Sequence, residues 1–262
     1  MHDSTLPLAR RDLIAHRLDA GQSVHSGALA TEFGVSEDAI RRDLRALAQQ
    51  GLCRRVYGGA LPLSPASGPV AARQAEAPAQ KQALAQVACG LIQPGMTLFL
   101  DTGSTVAHLA ARLPVLPDLR VITNSLPAAA VLMQRNDLSL VLIGGGVDPS
   151  TGGCTDARAQ AALALYRFDL CFLGACALSQ KQGLAGFDLA DVDFKRQLID
   201  RSAETALMMT TAKLETTAPY AIAGLDAVAD YILAADAPAP VADALRAAGA
   251  RVHLAHPDRS MT

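Results

Sequence analysis

A short apolar run, Thr97-Leu98-Phe99-Leu100, ends in Asp101-Thr102-Gly103-Ser104-Thr105, and a helical stretch from Val106 to Leu113 follows. A glycine between small hydroxyl residues at a helix start offers backbone N–H and side-chain O–H groups to an anion, which is phosphate chemistry. The same residues also suit an ordinary capped turn. Two more apolar runs end similarly. Thr123-Asn124-Ser125 precedes a helix, and Gly144-Gly145-Gly146 lets a backbone approach a ligand closely, although a loop needing positive φ would also use glycine. Later, Ala206 to Met209 leads to Thr210-Thr211-Ala212-Lys213, and Lys195 stands one turn after Asp191. A lysine binds phosphate as a point charge. Taken singly, Lys195 reads instead as a surface lysine paired with Asp191.

A second constellation is basic. From Ser36 to Gln50, Ile40, Leu44 and Leu47 make one apolar stripe of a helix, and Arg42 and Arg45 point away from it with Arg41 on the flank. Ser36 is a good N-cap, and Glu37 and Asp38 suit the first turn. Such a helix either reads DNA, since arginine reaches both phosphates and guanine edges, or is a solvated charged face. Asp38 either accepts from a cytosine amino group or orients an arginine. Ser26 to Phe33 reads as a short helix capped by Ser26, and Gly34-Val35 as a tight turn, giving a helix-turn-helix. Cys53 to Leu61 reads as a β-hairpin wing turning at Gly58-Gly59. Its Arg54, Arg55, Tyr57 and Gly58 extend the expected DNA surface.

These residues need elements to hold them. Leu8 to Ala20 is expected as a first helix, with Leu13, Ile14 and Leu18 inward, and Val24 as an extended piece pairing with the wing. Pro62 to Pro78, rich in Pro, Ala, Ser and Gly, reads as a linker, followed by a helix over 80–91. Strands are expected at 97–100, 120–123, 139–143, 170–173, 206–209, 231–233 and 251–254. Helices are expected to begin near Thr105, Leu126, Asp156, Asp191, Gly224 and Pro240. This alternation predicts an α/β domain with a mostly parallel sheet; the strand order is not legible. Ligands of such sheets bind at the carboxyl ends of strands, where the polar runs fall.

Composition narrows the classes. Half of the 262 residues are hydrophobic, enough for a sizeable core in one or two domains. A net charge of −2 excludes a protein basic all over. It averages a mildly acidic body with the stretch 41–55, where Arg41, Arg42, Arg45, Arg54 and Arg55 meet one acid, Asp43. The five cysteines form no C-x-x-C pair and read as reduced thiols of a cytosolic protein. No Cys/His cluster has metal-ligand spacing, and no metal or cofactor is expected. The charged first helix is unlike a signal peptide, and no apolar run is long enough to span a membrane; the location expected is the cytoplasm.

Ile40-Arg41-Arg42-Asp43-Leu44, then Leu47, Gly51, Arg55 and Gly58-Gly59-Ala60, resembles the N-terminal signature of the DeoR family of bacterial transcription regulators, over Arg10 to Leu61. Asp101-x-Gly103-Ser104-Thr105, Thr123-Asn124-Ser125, Gly144-Gly145, Gly174, Lys195-Arg196 and Lys213 are similar to that family's sensor domain. The resemblance implies a winged helix-turn-helix over 1–61, a linker over 62–79 and an effector domain over 80–258 like the ribose-5-phosphate isomerase fold. It implies a phosphorylated sugar effector, with its phosphate on Gly103, Ser104 and Thr105, Lys195 or Lys213 nearby, and Asp101 and Asn124 on sugar hydroxyls; Ser125, Gly144 and Gly145 complete the expected site. Ala39 replaces a usual Thr near the start of the reading helix. Cys176-Ala177 replace a usual Ser-Gly, and Thr210 with Thr211-Ala212 a usual acid and Ser-Ser. Phe187-Asp188 is similar to a glycerol-phosphate-responsive branch.

Two functions follow. A regulator would bind double-stranded operator DNA as a dimer or tetramer, reading major grooves about 34 Å apart, and would repress sugar or polyol genes until a phosphorylated sugar releases it. An isomerase with a fused DNA module would need a positioned general base. Isomerases of that fold place carboxylates after the strand equivalent to 170–173, where Gly174 to Ser179 has none, so binding without turnover is expected. A pure protein-interaction module leaves the helix-turn-helix unexplained.

Overall fold

The computed structural model describes residues 7–19, 24–61 and 70–257; the side chains of Asp19, Arg54 and Leu61 lie outside that description. The chain forms two compact units, Met1–Ser67 and Gly68–Thr262.

The first unit contains α1 (Pro7–Asp19), β1 (Val24–His25), α2 (Ser26–Phe33), α3 (Glu37–Gln49), β2 (Arg54–Val56) and β3 (Gly59–Leu61). β2 and β3 form the wing, and β1 adds to it through Val24 opposite Ala60. Ile14, Leu18, Leu29, Phe33, Ile40, Leu44 and Leu47 fill one core. Two expectations fail here. Leu13 is exposed, because the inward row of α1 runs Arg10, Ile14, Leu18 at four-residue steps, and Arg10 is buried beside Asp43. Ser26 is not a cap but the first residue of α2; its N–H donates to Gly58 O at 2.7 Å, so the wing satisfies this helix start. Ser36 does cap α3, accepting from Ala39 N.

The second unit runs α4 (Val70–Gln74), α5 (Pro78–Cys89), β4 (Thr97–Leu100), α6 (Ser104–Ala110), β5 (Arg120–Thr123), α7 (Leu126–Leu132) and β6 (Ser139–Leu142). Next come β7 (Val147–Asp148), β8 (Gly153–Cys154), α8 (Ala157–Leu163), β9 (Phe168–Leu173), β10 (Ala177–Ser179), β11 (Gly183–Gly186) and α9 (Leu189–Arg201). It closes with β12 (Ser202–Met209), β13 (Tyr220–Ala223), β14 (Asp230–Ala234), α10 (Ala239–Ala247) and β15 (Arg251–Ala255). The seven expected strands make one sheet, order β15-β14-β12-β9-β4-β5-β6, parallel throughout.

Side-chain alternation assigns its faces. Leu98, Leu100, Leu170, Phe172, Ala206 and Met208 pack on the side of α5, α6 and α7. Phe99, Cys171, Leu173, Leu207 and Met209 pack on the side of α8, α9 and α10. A small antiparallel sheet, β10-β11-β13, and a β7–β8 hairpin were not foreseen. The helix expected near Gly224 is a single 3-10 turn, Leu225–Ala227. The expected linker also changes: residues 62–69 lie outside the described ones, but α4 falls inside 62–79, with Val70 and Arg73 buried.

Candidate functional site

On the first unit, α3 buries Ile40, Asp43, Leu44 and Leu47 and exposes Arg41, Arg42 and Arg45. Asp43, the one acid in the arginine-rich stretch, faces inward: Arg10 Nε reaches its Oδ2 and Arg11 Nε its Oδ1, both at 2.7 Å. Asp43 therefore lends no charge to the outer arginines. Arg41 is held by Glu37 at 2.8 Å and Asp38 at 3.2 Å, and Arg42 Nε donates to Asp38 O at 3.3 Å. The Asp38 carboxylate thus meets Arg41 and its backbone carbonyl meets Arg42. His25 to Ala28, Glu37, Arg41 and Arg55 to Gly59 line a broad groove between the start of α2, α3 and the wing. The groove brings together Arg41, Arg55, Tyr57 and Gly58 of the expected DNA residues. Arg42, Arg45 and Ser36 stand outside its walls, exposed on α3. Tyr57 is fully exposed at the wing tip. Arg54 sits on β2, its side chain outside the described residues.

In the second unit the chain runs outward from β4 to β6 on one side of the sheet and from β9 to β15 on the other. The adjoining carboxyl ends of β4 and β9 are therefore a topological switch point, where open sheets bind ligands. A cleft of about 440 Å³, open solvent included, lies there. Thr102 to Val106 follow β4, Leu173 to Cys176 follow β9, Asp191 and Lys195 come from α9, and Met208 and Lys213 from the end of β12 and beyond. Thr151, between β7 and β8, and Arg73, from α4, complete the wall.

Lys195 is a buried ion-pair centre, not a surface lysine. It pairs with Asp191, with Asp101 Oδ2 at 3.0 Å, and donates to Thr102 Oγ1 at 3.4 Å. Burial would favour the neutral amine, but Asp101 and Asp191 overrule it and hold Lys195 above its ordinary value. Burial, with Asp101 adding repulsion, pushes Asp191 up against the pull of Lys195. Asp101 is wholly buried, and its Oδ2 also accepts the Gly174 N–H at 2.8 Å. It organises the floor and does not reach toward a sugar, contrary to expectation. Residue 174 has no room for a side chain: an ideal Cβ would stand 2.3 Å from Thr102 O.

Lys213 differs. Half-buried on the wall, its Nζ donates to Ala175 O at 3.1 Å. Burial, with repulsion from Arg73, Lys81 and Lys195, lowers its pKa to about 8. An anion beside it would reverse that shift.

Gly103, Ser104, Thr105, Lys195 and Lys213 thus meet in the cleft. Asn124, Ser125, Gly144 and Gly145 do not line it. Asn124 is fully buried and donates to Cys154 O at 3.1 Å, tying the β7–β8 hairpin to the end of β5. Ser125 caps α7, accepting from Ala128 N. Gly145 has φ +156, and an ideal Cβ would stand 2.4 Å from Asp156 Oδ1; Asp156 also accepts from Gly146 N at 2.8 Å. The glycine run is a turn folded over a carboxylate. The sequence reading missed Arg73, Thr102 and Thr151. Thr102 lay within the polar loop, but nothing local marked Arg73.

A winged helix-turn-helix joined in one chain to an α/β unit that gathers cations and hydroxyls at a strand switch point defines a DNA-binding regulator with a sensor domain. The chain belongs to the DeoR family. The DeoR-like helix-turn-helix domain matches residues 10–65 and the DeoR C terminal sensor domain residues 76–234. It is 33% identical to a glycerol-3-phosphate regulon repressor of Escherichia coli (strain K12) over 214 residues, 81% of this chain and 84% of the relative. It is 32% identical to a glycerol-3-phosphate regulon repressor of Haemophilus influenzae, covering 84% of this chain and 88% of that one. A ribose 5-phosphate isomerase A structure from Methanocaldococcus jannaschii aligns over 52% of this chain and 53% of that one, at 22% identity and a TM-score of 0.38. The chain is a DNA-binding transcriptional regulator. No helix among the described residues is long and apolar enough to cross a membrane.

Proposed function

We propose that the protein represses genes of sugar or polyol metabolism and leaves its operator when a phosphorylated sugar or polyol fills the cleft. The observation that carries this reading is the pairing of Arg73 and Lys213 with the hydroxyls of Thr102, Ser104, Thr105 and Thr151 around one small cleft. Cations and O–H donors together suit a phosphate ester. The names of the relatives put glycerol 3-phosphate first among the candidates. The DNA unit reads its operator with Arg42 and Arg45 and clamps it with Arg41, Arg54, Arg55 and Tyr57. Two or four copies act together in the cytoplasm, since half-sites one turn apart require at least a pair of recognition helices.

Thermal unfolding with a panel of sugar and polyol phosphates tests the sensor. A ligand bound only by the folded state raises the midpoint. One ester is expected to shift it selectively, and Ser104→Ala and Lys213→Ala to abolish the shift; no shift with any ester overturns the proposal.

We propose further that the cleft binds without turnover. Among the described residues Asp191 is the one acid on its wall, and Lys195 already holds it, so no free carboxylate stands ready as general base. An isomerase assay on pentose and hexose phosphates is expected to give no product.

A further inference from the structure

We infer that the anion site takes Arg73 from α4 as one of its own ligands, so that filling the cleft fastens α4 to the sensor unit. The inference rests on the phosphate reading above. Arg73 is buried although it comes from a Pro- and Ala-rich stretch, and it reaches the wall shared by Thr102, Ser104 and Lys213. Its NH2 donates to Ser150 O at 2.7 Å, beside Thr151. A carbonyl is a weaker partner for a guanidinium than a phosphate, which it grips through two parallel N–H bonds.

Electrostatics gives the second argument. Arg73 and Lys213 are near enough for their charges to oppose each other. Docked α4 holds these like charges together; an anion between them turns that repulsion into two attractions.

The third argument is length. α4 has five residues, too few to be helical without tertiary support. Its supports among the described residues include contacts from three parts of the sensor unit. Val70 packs on Gly152, where an ideal Cβ would stand 2.4 Å from Val70 Cγ1. Arg73 O accepts from Lys81, and Gln74 O lies 3.3 Å from His108 Nε2. An element of five residues shifts its equilibrium when one strong contact is added. α4 is also the first described element after the DNA-binding unit in the chain, so its release would lengthen the connection between the units.

Amide hydrogen exchange on the full chain tests this, with glycerol 3-phosphate and the other esters of the panel as probes. With the ester that binds, the amides of 70–77 are expected to slow together with those of 102–106. In Arg73→Met the ester is expected to bind at least about tenfold to hundredfold more weakly, since the charge-assisted grip of the guanidinium is lost. At saturation it should then slow 102–106 but no longer 70–77. Arg73→Lys, which keeps the charge and loses the fork, should fall between, and serves if Arg73→Met does not fold. Slowing at 102–106 without slowing at 70–77 in the native chain overturns the inference and leaves the sensor reading standing. No slowing at either place with any ester overturns both.

Discussion

Lys213, half-buried, and Lys195, buried, line one cleft, and their surroundings give them opposite roles. Lys195 is matched by two carboxylates, so it is structural. Truncating it leaves Asp101 and Asp191 buried without their cation, and Lys195→Ala is expected to lower stability by about 3–5 kcal/mol in denaturant unfolding. Lys213 meets a carbonyl and other cations, so it is the responsive group. Its pKa of about 8 in the empty cleft rises once a phosphate sits beside it. Between the two values binding takes up a proton, so ester affinity should be flat just below pH 8 and fall above it, by at most about tenfold per pH unit. Titration calorimetry across pH 7–10 checks this, and Lys213→Arg, charged throughout, should flatten the profile. The empty protein shows the converse. With the folded pKa lowered below 10.5, the unfolded chain holds more protons between the two values, so this residue's contribution makes stability rise from about pH 8 to 10.5. None of this was visible in the sequence, where Lys195 stood near Asp191 but nothing showed that Asp101 would meet it.

At the scale of elements, the seven parallel strands were legible because each reads as a short apolar run; the inner strands, β14 to β5, are largely buried on both faces, whereas the edge strands β6 and β15 are only partly buried. The missed strands are short and weakly patterned, such as Gly183–Gly186 and Val147–Asp148. α4 was missed because its composition reads as a linker, and only the fold carries Arg73 to the cleft. Polar strand ends were legible as such, but their roles were not: Thr123 Oγ1 bonds Leu100 O at 2.6 Å and accepts from Ser125 N at 3.0 Å, joining neighbouring strand ends beneath the surface. α3 matched its pattern closely. Its cap gives a direct test: Ser36→Ala should cost the first unit about 1 kcal/mol in thermal or denaturant unfolding. Asp43→Ala should cost more, since Arg10 would lose its buried partner.

At the scale of the molecule, binding at the DNA end is expected to be strongly salt-dependent, each phosphate-contacting arginine adding about 0.9 to the slope of log K against log salt. Removing an arginine from both copies of a dimer should lower that slope by about two if it contacts phosphate. If Arg42→Ala instead relaxes base preference at fixed salt, Arg42 is a base reader. Competition binding on operator variants at several salt concentrations separates the two. The described cores also bear on how such a chain changes over time. The core of the first unit draws on residues between Ile14 and Ala60, and those of the second on residues between Ala83 and Ala255. A crossover near Ser67 would therefore transplant a complete DNA-reading core without cutting any of the three hydrophobic clusters. A graft of residues 1–67 onto a relative's sensor should answer that relative's effector at this protein's operator, which a reporter assay would check.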